Sequence, residues 1–103
     1  MNTSALETQY ALARDVVVSD DELSVDLEDG RTITVPIGWF PRLLYGTPLE
    51  RQHWQLIGKG IGIHWPDLDE DISVEGLLLG RRSGEGPKSL KKWMAEHGKT
   101  PSG

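Results

Sequence analysis

From Arg14 to Ile37 the apolar side chains recur at every second position: Val16 and Val18, then Leu23, Val25 and Leu27, then Ile33, Val35 and Ile37. A period of two belongs to an extended chain, because successive side chains of a strand point to opposite faces. Three antiparallel strands are therefore expected, and the links between them must keep the apolar sets on one face. A two-residue Asp29-Gly30 loop would pair Leu27 with Thr32 and set an inward residue against an outward one. A three-residue loop with Gly30 in the left-handed conformation pairs Leu27 with Arg31, Val25 with Ile33 and Leu23 with Val35, so the apolar sets meet. Residues Ser19 to Glu22 then join the first two strands, with Val18 opposite Leu23 and Val16 opposite Val25. The other face is polar and carries Ser24, Asp26, Thr32 and Thr34.

Pro36 and Gly38 end this sheet, since proline cannot donate within a ladder. Pro41 starts a short helical turn that closes near Gly46. Thr47-Pro48-Leu49-Glu50 has the capping-box arrangement of a helix start. The spacing of Leu49, His53, Leu56 and Ile57 predicts a helix that runs to Gly58 and lies across the oily face. Residues 57–80 follow, reading IGKGIGIHWPDLDEDISVEGLLLG, and the rest of the chain is expected to be arranged around them. Gly60 to Trp65 reads as a fourth strand. Its glycines are spaced G-x-G-x-G rather than G-x-G-x-x-G, so close approach of another segment explains them better than a dinucleotide does. Asp71 or Ser73 is expected to cap a helix over Val74 to Leu79.

The strongest local candidate for a site is the surface motif containing His64, Trp65, Asp67, Asp69 and Asp71. A metal set could be drawn from His64, Asp67, Asp69 and Asp71, with His53 added for a two-histidine site. It lacks the glycine and the terminal bidentate glutamate of a calcium loop. The preferred reading is structural, with helix capping, solvated carboxylates and hydrogen-bonded histidines. No nucleophile and base pair or phosphate loop accompanies the motif, so neither catalytic residues nor a metal site nor a cofactor is expected, and the chain is read as a non-enzyme.

A chain of 103 residues forms one domain and must bury most of its aliphatic side chains. It has no cysteine, which fits a reducing compartment, and no apolar run of the roughly 20 residues a membrane span needs. A cytoplasmic location is expected. Residues 1–80 hold 5 Lys or Arg against 14 Asp or Glu, whereas residues 81–103 hold 6 against 2. The acidic body argues against a broad duplex-binding face. The basic end is a candidate contact for an acidic partner, although a solvated tail is the plainer explanation.

The residues Trp39-Phe40-Pro41-Arg42-Leu43, Thr47-Pro48 with Glu50-Arg51, Leu56-Ile57-Gly58 and the run from Gly62 to Leu78 resemble the signature of the bacterial domain-of-unknown-function family 2442, over roughly Arg14 to Arg82. The resemblance implies a small α+β domain. Some relatives of that family carry a helix-turn-helix DNA-binding domain. Others are encoded beside a small protein of family 4160, in an arrangement that looks like a toxin–antitoxin pair with this family as antitoxin. Leu49 stands where relatives often carry a second glutamate. No helix-turn-helix follows in this sequence, so that role is not carried over, and the family offers no catalytic residue to transfer.

The expected organisation is an N-terminal extension at 1–13, an α+β domain at 14–80, a flexible linker at 81–86, an amphipathic basic helix at 87–98 and a disordered tail at 99–103. The sheet is a meander plus a later strand, packed by one or two short helices. In the C-terminal helix Leu90, Trp93, Met94 and His97 share a side, and so short a helix must dock either on its own domain or in a partner's groove. Arg81, Arg82, Leu90, Lys91, Lys92 and Trp93 are therefore the expected partner-binding residues. The function expected is protein–protein interaction, with a small protein such as a toxin as partner and a homodimer also open. Nucleic-acid binding through Arg81, Arg82, Lys88, Lys91 and Lys92 is the alternative, and a metal-dependent hydrolase at His64, Asp67, Asp69 and Asp71 is the least favoured.

Overall fold

The computed structural model describes residues 11–99. Most of the proposed N-terminal extension, and residues 100–103 of the proposed tail, lie outside the described residues. The fold is α+β, as expected, but its strands form two antiparallel sheets of three. The first is the meander β1 (Ala13–Val18), β2 (Glu22–Leu27) and β3 (Thr32–Pro36). Its register pairs Val16 with Val25, Val18 with Leu23, Val25 with Ile33 and Leu23 with Val35. The turn is the bulged one: Leu27 N–H donates to Arg31 O, and Gly30 has φ +94°. On the polar face the Ser24 and Thr34 hydroxyls lie 3.0 Å apart, and Thr32 Oγ1 donates to Asp26 at 2.8 Å. Leu23, Val25 and Leu27 are fully buried on the other face.

Two helices follow, α1 (Pro41–Leu44) and α2 (Pro48–Gln52), and Thr47 forms the complete capping box with Glu50. The expected continuation of α2 to Gly58 is corrected by the structure. Leu49 is 77% exposed, and Gln55–Ile57 is a strand, β4. The helix ends where His53 leaves the helical region at φ −91° and ψ 80°, and the Trp65 indole donates to the free Arg51 O at this end at 3.0 Å. The residue of α2 that is buried is Arg51 instead, whose guanidinium donates to Leu43 O at 2.9 Å and Leu44 O at 2.8 Å at the end of α1.

The later strand, expected as an addition to the meander, founds the second sheet. β5 (Gly62–Trp65) pairs with β4 on one side and with β6 (Glu70–Ser73) on the other. Gly60 precedes it at φ +114°, and a Cβ there would stand 2.5 Å from Ala13 O. Close backbone approach is thus the reason for glycine at this position. Ser73 caps α3 (Val74–Leu78) by accepting from Gly76 N–H at 2.9 Å. After a segment without regular structure comes α4 (Pro87–Glu96). Side chains of both sheets and of α4 share one hydrophobic cluster, with Trp65, Leu68, Ile63 and Trp93 among its members.

Candidate functional site

The parity of β6 explains the site. Its register places Glu70 opposite Trp65 and Ile72 opposite Ile63, so Glu70 lies on the same face of the sheet as two core residues. Asp71 and Ser73 lie on the other face. Glu70 is half-buried as a result, and burial pushes its carboxyl up to about 7. Oε1 of Glu70 accepts the Asp71 N–H at 2.9 Å.

Beside it, Arg42 of α1 joins four segments of chain. Its Nε and Nη2 grip the two oxygens of Glu85 at 2.6 and 2.8 Å, and Nη1 donates to Asp69 O at 2.6 Å. The guanidinium lies 5.6 Å from the centre of the Trp93 ring. This two-point pairing holds Glu85 below the ordinary carboxylate range, and the Glu85 side chain is only 7% exposed. Ser89 of α4 adds a hydroxyl donor to Glu85. The segment 81–86, expected as a flexible linker, is thus pinned. Arg82 stacks 4.7 Å over Trp39, and Ser83 N–H donates to Trp39 O.

Between β6 and this pinned segment runs a cleft of about 270 Å³. All four residues of β6 line one wall, Arg81, Arg82, Ser83 and Gly84 line the other, and Phe40, Gly76 and Leu77 complete the lining. The cleft brings together two parts of the sequence that were singled out separately, Asp71 from the acidic motif and Arg81 with Arg82 from the basic end.

The remaining residues scatter. Trp65 and Trp93 belong to the core, at 0% and 2% exposure, and Trp93 Nε1 donates to Leu68 O at 2.8 Å. The choice left open for the C-terminal helix is settled within the chain: α4 docks on its own domain, so Trp93 is not free to anchor a partner. Leu90 is half-buried against the core, while Lys91 and Lys92 are exposed. His64 bonds Asp71 at 2.5 Å and His53 bonds Asp67 at 2.7 Å, so the residues of the imagined metal set are divided between two surface pairs, with Asp69 in neither. Among the described residues no three His, Asp or Glu side chains converge as for a metal ion. Lys99, placed in the expected tail, donates to Glu50 at 2.8 Å.

Arg42, Glu70 and Glu85 were missed as a group. Arg42 was visible only as part of a motif, Glu85 as part of a linker, and Glu70 as one more acid in an acidic run. Once β5 and β6 are paired, Ile63 with Ile72 and Trp65 with Glu70, the inward parity of Glu70 follows, and that was the available signal.

A small two-sheet α+β domain with a mixed-charge cleft along one sheet edge is the class these features define. The chain belongs to the family described as protein of unknown function (DUF2442), whose model matches residues 13–83. It is similar to a crystal structure of a protein of unknown function from Rhodospirillum rubrum, at 29% identity and a TM-score of 0.61, covering 72% of this chain and 92% of that one. It is also similar to the solution NMR structure of an uncharacterised protein from Chromobacterium violaceum, at 27% identity and a TM-score of 0.65, covering 91% of this chain and 83% of that one. No curated protein matches the chain. Among the described residues no helix is long and apolar enough to cross a membrane.

Proposed function

We propose that this chain is a non-enzymatic protein–protein interaction module, an antitoxin-like or regulatory partner of a small protein of family 4160 encoded nearby. The observation that supports this reading best is the cleft itself, with carboxyls on the β6 wall and the guanidinium-bearing residues Arg81 and Arg82 on the other. Opposed charges across a narrow groove suit recognition of a polypeptide, which carries both signs along its length. The acidic body would speed encounter with a basic surface, since complementary charge acts mainly on the association rate. Co-expression with the neighbouring gene product is the test. Co-purification at moderate salt is the expected outcome; failure to co-purify, with no rescue of growth, removes the reading.

A second reading draws on α4. Lys88, Lys91 and Lys92 are exposed while Trp93 and Met94 are buried, which leaves the lysines free to meet phosphates. Titration against duplex and single strands at two salt concentrations separates the readings, because binding led by phosphates weakens steeply as salt rises.

A further inference from the structure

We propose that β6 is an acceptor strand: the cleft takes an extended segment of a partner polypeptide, which adds to the free edge of β6 and sets a lysine or arginine beside Glu70. This rests on the interaction reading above and specifies how that partner is held. Three observations carry it. First, the cleft is lined by residues of both parities, Glu70 and Ile72 from one face of the sheet and Asp71 and Ser73 from the other. A groove over a sheet face would meet one parity; meeting both means that it runs along the strand's edge.

Second, that edge has donors to offer. β6 pairs with β5 on one side, and no described strand pairs with the other. The Asp71 N–H points away from β5 and is held by the Glu70 carboxyl, so an incoming strand takes this donor over as Glu70 turns to the arriving cation. Donors alternate along an antiparallel strand, so the Ser73 N–H points the same way. A four-residue wall about 13 Å long accommodates a short extended stretch at the usual strand rise. Strand addition of this kind draws affinity from the main chain and specificity from alternate side chains.

Third, the charge of the occupant is set by Glu70. Arg42 spends three of its five N–H groups elsewhere, two on Glu85 and one on Asp69 O, and makes no hydrogen bond to Glu70. Among the described residues Glu70 makes no ion pair; burial raises its carboxyl most, and the charge of Arg42 is offset by the like charges of Glu85 and Asp71. A half-buried carboxyl in such company is costly to ionise, and an incoming ammonium or guanidinium relieves that cost. The exposed aliphatics Ile57 and Ile61 near the other edge of this sheet offer no comparable argument, because nothing shows what covers them.

The test starts from selection of a random heptapeptide library, displayed on phage, against the full chain. Peptides carrying a lysine or arginine among β-prone residues are expected to enrich over a blank surface. A synthetic peptide of the enriched sequence is expected to move the backbone amide signals of residues 70–73 and 81–84, to bind Glu70→Gln about tenfold more weakly, and to lose binding at least tenfold when alternate backbone nitrogens are methylated. No enrichment, amide changes elsewhere, or equal binding of the methylated peptide overturns the acceptor-strand role. If the role falls while the neighbouring gene product still co-purifies, the interaction module stands without it. If co-purification fails while peptides bind β6, the assigned partner falls and the acceptor strand stands.

Discussion

Glu70 and Glu85 flank one guanidinium and are displaced in opposite directions, Glu70 upward by burial and Glu85 downward by its bidentate bond to Arg42. Each leaves its own mark on stability. Between pH 4.5, the ordinary value for Glu70, and about 7, its value in the fold, the folded chain holds a proton that the unfolded chain has shed. Stability therefore falls as pH rises through that window. Glu85 behaves conversely: its contribution is complete above the ordinary value and is lost as pH drops below it. Together these two carboxyls favour the fold most near the bottom of the Glu70 window. Glu70→Gln is expected to leave the melting temperature nearly unchanged at pH 5 and to stabilise the fold by about 1–2 kcal/mol at pH 8, a figure discounted for the contact Glu70 keeps with water. Thermal melts at several pH values decide this, and an undiminished decline between pH 5 and 8 in the variant would assign the titration to another group.

At the scale of elements, α4 is the informative piece. A helix of 10 residues is marginal alone, so its order comes from what it touches: Trp93 in the core, its indole on Leu68 O, and its neighbour Ser89 on Glu85. Trp93→Ala is expected to cost about 3–5 kcal/mol, as removal of a buried aromatic does, measured by denaturant titration. Arg42→Lys tests the clamp more finely. An ammonium keeps the charge but cannot hold both Glu85 oxygens and the Asp69 carbonyl in one plane. Amides of 90–96 are then expected to exchange with solvent faster while those of β2 keep their protection. An unchanged exchange pattern would mean that packing of Trp93 alone holds the helix. The meander was legible in the sequence because eight apolar residues keep one period across two turns, and because only one turn length satisfied the register of Leu27. β4 was not legible. Leu56 and Ile57 fit a helical spacing from Leu49 as well as a strand, and the partner that makes them a strand, β5, follows them in the chain across a glycine turn. The cleft was illegible for a related reason, since the pairing of Arg42 with Glu85 has no local signature.

On the scale of the molecule, the two sheets divide the work. The first is a closed piece of packing whose outer face is covered by hydroxyl and carboxyl pairs. The second carries the polar cleft, the His64–Asp71 pair and exposed aliphatics. With an acidic body, association with a basic partner is expected to slow several-fold between low and physiological salt, while dissociation changes little. Stopped-flow mixing with the co-purified partner checks this, and an on-rate indifferent to salt would leave the surface charge without a steering role. The fold also ties its beginning to its middle where Gly60 crosses Ala13 with no room for a side chain between them. Backbone meets backbone there, so any side chain at position 60 must push β1 and the turn before β5 apart. One absent methyl group thereby sets how closely the two sheets can draw together.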